Sequence, residues 1–388
     1  MNFHYNNKDE ILGSVTILKK LLPALLFLLL ITATVPMFKA SASSYGVVEN
    51  GTNRTLVPLR MVADTFSVPV EWDNVNKTVT IDKKYKLTMG SKMIKNGATV
   101  IKQMDTQPKM LQNSVYVPVR EVAYLFDVPM NWNQQKKIVT YQVKDHTYSI
   151  SVYPETVLNK PKVSVSKKTL NASGKNIAVN IVNVNLLAPD TSLHVELAKN
   201  QLGSVASLSS IAKAHNAKVA INGNYFDAYS NNSYRSVYNG LVMNGQKVKV
   251  FDAKFSVFYV LKNGEVGILP GAKFMELYNE GTVQEAFQVG PRLVTNGAIS
   301  VDPVAEGFTS YKILSSPGAR SAIGILPNRQ LVFVTTAGAT VQQLASVMKQ
   351  LGAVDAMNSD GGASSGLYVN GSYITTPGRD IAVAFLVK

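Results

Sequence analysis

The chain of 388 residues contains no cysteine. Disulfides, thiolate metal sites and cysteine nucleophiles are therefore excluded, and stability has to come from burial of apolar surface. Histidine is nearly as scarce, with four residues and no metal-ligand spacing. There is no HExxH and no P-loop, so two common routes to hydrolysis are missing. Charged residues make up 16% against 46% hydrophobic, a balance that excludes a largely disordered chain. Only one long apolar run occurs, Leu21 to Val35. At about 15 residues it is short for a membrane span. Lys19-Lys20 before it and Ala40-Ser41-Ala42 after it have the layout of a secretory signal. The absence of a cysteine behind the run closes the lipoprotein route. The expectation is a mature chain starting near Ser43, secreted or wall-associated, with no stable membrane span after signal cleavage.

Acidic residues are in deficit. Lys and Arg total 39 against 25 Asp and Glu, a net +14, of which +12 lies beyond residue 42. The excess is spread out, except that 161–180 holds Lys162, Lys167, Lys168 and Lys175 with no acid. A nucleic-acid protein concentrates charge on one face with interleaved aromatics, so no nucleic-acid partner is expected. Diffuse attraction to an anionic cell-wall polymer fits better.

The first half contains a repeat with a period of 60 residues. Val57-Pro58-Leu59-Arg60 returns as Val117-Pro118-Val119-Arg120, Phe66 as Phe126, Trp72 as Trp132, and Thr78-Val79-Thr80 as Ile138-Val139-Thr140. The only two tryptophans of the chain are equivalent. Each unit reads as an extended X-Pro entry, a short helix through Val62, Ala63 and Phe66, and two strands. One unit cannot bury both faces, so the two are expected to share a core. The lysine-rich passage 151–175 has the composition of a linker, with a strand at Val163 to Ser166.

The second half carries short apolar strands, glycine-rich loops and two helices. Ser207 caps the first, near Ser207 to Asn216. Thr340 and Gln343 form a capping box on the second, Val341 to Leu351, whose buried stripe is Val341, Leu344, Ala345, Met348 and Leu351. Lys262-Asn263-Gly264 marks a hairpin. The strand Val354 to Asn358 runs into Ser359-Asp360-Gly361-Gly362-Ala363-Ser364-Ser365, which puts Asp360 at a strand end with little steric cover. The fold class is α+β: a C-terminal mixed or antiparallel sheet domain with packed helices, preceded by a small α+β domain built from two repeats. The boundaries read 1–42 signal peptide, 43–150 repeat domain, 151–175 basic linker and 176–388 C-terminal domain.

Two resemblances follow from these residues. Residues 45–145 resemble the copper amine oxidase N-terminal-like, or stalk, domain; with His146 as its one histidine and no ligand cluster, no copper site is expected. Ala220-Ile221-Asn222-Gly223-Asn224-Tyr225-Phe226, Gly290-Pro291-Arg292-Leu293-Val294, Ala319-Arg320-Ser321-Ala322-Ile323-Gly324, Asn358 to Ser365 and Gly378-Arg379-Asp380 stand in the order of the phosphodiester glycosidase motifs. Ser359 and Ala363 depart from the pattern, replacing a leucine and a glycine, and neither change removes a polar group. The resemblance implies a hydrolase acting on a glycosyl phosphodiester, whose site must supply positive charge for phosphate, a carboxylate near C1 and polar groups that orient the sugar. Asp360, Arg320 and Asn222 are the catalytic candidates, with Asp360 as base or electrostatic stabiliser. Arg292, Arg379, Asn224, Ser364 and the amides of Gly361 and Gly362 are the substrate-binding candidates. Asp227, Glu306 and Asp380 are further acids from which a second carboxylate could come. No cofactor is indicated; an acid-lined phosphate site is able to recruit calcium or magnesium, but no ligand spacing demands it. The partners expected are a glycosyl phosphodiester or envelope polysaccharide at this site and an anionic wall polymer at the repeat domain. A non-catalytic glycan-binding protein and a purely structural envelope protein are the alternatives.

Overall fold

A computed structural model describes residues 45–388; the expected signal segment lies outside the described residues. Among those described, no helix is long and apolar enough to cross a membrane.

The repeat is visible as an approximate two-fold. Thr55–Pro58 pairs antiparallel with Ser114–Pro118 in a register that sets Val57 opposite Val117, with Leu56 opposite Pro118 and Pro58 opposite Tyr116. Val57 and Val117 are the same position of the 60-residue unit, so the local symmetry axis passes between them. Phe66 and Phe126, also equivalent, stack at 5.3 Å. One core takes Val57, Leu59, Val62 and Val79 from the first unit and Val117, Val122 and Val139 from the second. Each helix, Leu59–Thr65 and Val119–Leu125, starts directly after its proline, where a fixed φ is already compatible with helix entry. Around this axis lie a seven-stranded sheet and a five-stranded meander running from Val70–Asp73 to Thr99–Gln103. Gly46–Val48 joins the larger sheet by pairing parallel with His146–Pro154.

Residues 151–175 are not a linker. His146–Pro154 completes the N-terminal sheet, Glu155–Leu158 is a helical turn, and Val163–Ala172 is a ten-residue strand paired with Lys175–Asn185. The latter continues the seven-stranded C-terminal sheet by pairing with Gln330–Ala339. Val163–Ala172 is an edge strand with most side chains solvated. Lysines are favoured there because they discourage pairing with another chain, which is why the stretch has a linker's composition. The seven-stranded sheet therefore already begins at Val163, upstream of residue 176.

That domain has three sheets, all antiparallel: the seven-stranded one and two of five strands. They meet around Phe385, whose ring lies 5.1–6.0 Å from those of Phe258, Phe287 and Phe333. The helix Val341–Gln350 carries the expected capping box, Gln343 N–H to Thr340 Oγ1 at 3.2 Å and Thr340 N–H to Gln343 Oε1 at 3.0 Å. Such a cap is worth about 1 kcal/mol. Its buried stripe packs on the outer face of the seven-stranded sheet against Ala172, Ile177 and Val332. Sealing that face leaves the strand ends as the open edge of the domain.

Candidate active site

Two of the sheets converge where their strands end. Val219–Asn222, from one five-stranded sheet, runs into Gly223-Asn224-Tyr225, and Asp355–Asn358, from the seven-stranded sheet, runs into Ser359-Asp360. Asn222 fastens them. Its Nδ2 donates to the Asp360 carbonyl at 2.7 Å, and its Oδ1 accepts from Ser321 Oγ at 2.8 Å and from the Gly366 amide at 3.0 Å. Every polar atom of this fully buried side chain is engaged, so Asn222 positions the Asp360 loop and does not touch substrate. Ser359 adds a second fastening by sharing its hydroxyl hydrogen between the carbonyls of Asn222, at 2.6 Å, and Gly223, at 2.9 Å. The departure from leucine at 359 thus exchanges packing for two hydrogen bonds in the same clamp.

Asp360, so held, is mostly enclosed. Burial pushes its carboxyl up to about 7, while the Ser364 hydroxyl, the Gly361 amide at 2.9 Å and the positive charge of Arg379 pull the other way. The burial effect wins because two hydrogen bonds and one nearby cation replace only part of a carboxylate's hydration. Gly361 packs tightly: a Cβ would meet the Ala319 carbonyl at 3.0 Å, so a side chain there would have to push that carbonyl back by a few tenths of an ångström. Its amide is already committed to Asp360 and does not serve a phosphate. Gly362 is exposed, with φ of 62°, a conformation that favours glycine.

Beside Asp360 lies Tyr225. Its hydroxyl donates to the Gly290 carbonyl at 2.6 Å and accepts from Asn358 Nδ2 at 3.1 Å. Burial, reinforced by the charge of Asp360, holds this phenol protonated well above its ordinary range. Asn358 also donates to the Gly290 carbonyl at 2.8 Å, and its Oδ1 is buried without a donor. Asn224 is in the same condition: Nδ2 faces the carbonyls of Tyr238, Gly240 and Gln288, and Oδ1 has no partner. Tyr225 and Asn358 stand inside the quoted motifs, and the hydrogen bonds single them out where residue type alone did not.

The cations divide into two kinds. Arg292 is structural: Nε donates to the Val294 carbonyl at 2.9 Å, Nη1 to Ile268 at 2.6 Å, and Nη2 pairs with Asp355. Its guanidinium is spent inside the fold, which removes it from the substrate-binding set. Arg320 is buried and donates to the carbonyls of Ala339 at 3.0 Å, Lys312 at 2.6 Å and Ser316 at 2.7 Å. Only Nη1, next to Gly361, is left toward the Asp360 loop. Arg320 therefore anchors the segment carrying Lys312 as well as charging the site. At the rim, Arg379 lies 4.6 Å above the ring of Tyr229 and donates to its hydroxyl at 3.2 Å. Lys312 Nζ is 5.2 Å from the same ring. Two cations thus flank one exposed tyrosine and lower its hydroxyl's pKa, the Arg379 hydrogen bond contributing most. Tyr229 and Lys312 carry no signal in the sequence, because nothing in it pairs residues 229, 312 and 379.

Of the further acids, Glu306 accepts from the Ser256 amide and hydroxyl and from the Arg292 amide, at 3.1, 3.0 and 2.5 Å. Asp227 accepts from the Ser230 amide and hydroxyl. Both are occupied by turn and strand contacts. Among the described residues no group of three or more His, Asp or Glu is placed to hold a metal ion.

Residues 215–388 match the phosphodiester glycosidase family. Residues 43–181 match the copper amine oxidase N-terminal domain, a span that includes the strand Val163–Ala172. No curated protein matches the chain. Among solved structures, similarity is found to the zebrafish N-acetylglucosamine-1-phosphodiester alpha-N-acetylglucosaminidase catalytic domain auto-inhibited by its pro-peptide, at 19% identity and a TM-score of 0.47 over 59% of this chain and 84% of that one. A hypothetical protein from Synechocystis gives 14% identity and 0.46, over 87% of this chain and 95% of that one. A putative exported protein from Burkholderia pseudomallei gives 12% and 0.39, over 55% and 74%.

Proposed function

We propose that the C-terminal domain hydrolyses a glycosyl phosphodiester at the sugar C1–O bond, in cell-wall or exopolysaccharide material outside the cell, while the N-terminal domain holds anionic wall polymer. The observation that carries the catalytic part is a carboxyl raised to about 7, Asp360, next to a cationic rim of Arg379 and Lys312 around Tyr229. A group with its pKa near working pH is suited to proton transfer, and the family match supports the substrate class.

In this reading the phosphate lies against Arg379, Lys312 and the free edge of Arg320. Ionised Asp360 takes a proton from a water whose oxygen bonds to C1. As that bond forms, the bond from C1 to the bridging oxygen breaks, and its electron pair leaves with the phosphate. A phosphate monoester, with a second pKa of about 6, needs little protonation to leave, so one carboxylate suffices. The buried, unpartnered Oδ1 of Asn358 is the acceptor for a bound water.

The test is turnover of sugar phosphodiesters in heavy-oxygen water. Label on the sugar C1 hydroxyl is expected; label on phosphate would move the attack to phosphorus and overturn the mechanism. Binding without turnover across several sugars would return the domain to a non-catalytic glycan binder. Export is checked separately by N-terminal sequencing of the native protein, which should begin near Ser43.

A further inference from the structure

The local two-fold of the N-terminal domain builds two cavities, of about 590 and 380 Å³, from equivalent positions contributed reciprocally. The larger takes Trp72, Asn74 and Lys77 from the first repeat and Asn113 and Val115 from the second. The smaller takes Trp132, Gln134 and Lys137 from the second and Asn53 and Thr55 from the first. All five pairs are 60 residues apart. The backbone conforms too: Asn53 and Asn113, and Lys77 and Lys137, all have φ between 49° and 61°.

Their chemistry has diverged. The larger cavity carries Arg60 and Lys77 and no carboxylate, and Met89 and Met110 widen its apolar wall. The smaller one carries Glu49 and Glu155, paired with Lys109 at 2.8 and 3.0 Å, against Lys137. Trp132 closes its own indole N–H onto Gln134 Oε1 at 2.8 Å. Trp72 makes no such bond, which leaves both its ring edge and its N–H for a ligand. Arg120, the repeat partner of Arg60, is drawn off to Asp105 at 3.0 Å. Two cations here face no carboxylate of the cavity; Lys77 Nζ donates to Asn74 Oδ1 at 3.0 Å and Arg60 Nη2 to the Val70 carbonyl at 3.5 Å. With the aromatic face they match a sugar ring bearing an anionic substituent: apolar C–H faces on the indole, hydroxyls on Asn113 and the Asn74 amide nitrogen, the anion at Arg60 and Lys77.

We propose that the Trp72 cavity is a binding subsite for an anionic polysaccharide and that its pseudo-symmetric counterpart at Trp132 is not. This locates the wall-polymer contact assigned to the N-terminal domain above and rests on that assignment; it does not depend on catalysis. The substituent's source, phosphate or carboxylate, is separated by the probes.

The experiment measures affinity of the whole chain for dextran phosphate, polygalacturonate and neutral dextran. Binding to one or both polyanions, weaker with salt, and none to dextran is expected. Trp72→Ala and Lys77→Asn should each weaken it by at least about tenfold, equivalent to about 1.4 kcal/mol, whereas Trp132→Ala should leave it unchanged. Lys77→Asn keeps a residue that tolerates the positive φ, so it decides the matter where Trp72→Ala fails to fold. Polyanion binding untouched by Lys77→Asn and Arg60→Gln, or reduced equally by Trp132→Ala, would overturn the subsite and leave the polymer assignment standing. No polyanion binding at all would remove both, and equal binding of dextran would overturn the need for an anion.

Discussion

Replacing Asp360 by Asn separates what this residue does for function from what it costs the fold. Burial raises its carboxyl from the ordinary 3.8 to about 7. Below pH 3.8 the folded and unfolded chains both hold the proton, and the group contributes nothing to stability. Between 3.8 and 7 only the unfolded chain releases it, so the folded state loses about 1.4 kcal/mol per pH unit. Above 7 the penalty is constant, at about 3 units or roughly 4 kcal/mol. That is an upper bound, because the side chain keeps some contact with solvent. Asparagine keeps an acceptor for the Gly361 amide and removes the charge. Asp360→Asn should therefore melt about 5–10 °C higher than the parent at pH 8 and within a degree or two of it at pH 4. Turnover should fall by a factor of about 10²–10⁴. Thermal denaturation of both proteins across pH 4–8, with activity measured alongside, tests this. An equal difference in melting temperature at pH 4 and pH 8 would refute the reasoning, since Asp360 would then not be a strained, titrating group in the folded state.

Other perturbations follow the same logic. Arg320→Ala removes the donor to the carbonyls of Ala339, Lys312 and Ser316, each loss costing roughly 1–3 kcal/mol where buried, so both melting temperature and activity should drop. Arg292→Lys should lower the denaturation midpoint by breaking the contacts to Val294, Ile268 and Asp355, with KM unchanged; a selective rise in KM would return Arg292 to the binding site. Tyr229→Ala and Arg379→Ala should both raise KM for a phosphodiester, and Tyr229→Ala, at an exposed position, should leave stability within about 0.5 kcal/mol. A fragment starting at residue 160 should fold as a cooperative unit, by calorimetry, whereas one starting at 176 loses the Val163–Ala172 strand and should melt lower or aggregate.

The sequence by itself determined what depends on local patterns. The 60-residue period announced a shared core, Thr340 and Gln343 announced a capped helix, and the glycine-rich run after Asn358 placed Asp360 at a strand end. These are legible because the interacting residues are neighbours, or because repetition states the same design twice. Tertiary structure decided which polar residues hold the fold and which face a ligand. Asn222 and Arg292 are of the types that bind sugars and phosphates, and the fold uses them as fasteners, Asn222 to a carbonyl 138 residues away. Tyr229 gains its cations only where segments 83 and 150 residues further along the chain come together. The basic strand 163–172 looks like a linker because an edge strand is half solvent, and only its pairing distinguishes the two. The same limit hid the paired cavities: the tryptophans were plainly repeats, but each cavity is closed by residues of the other unit. Only the antiparallel meeting of Val57 with Val117 brings those residues across.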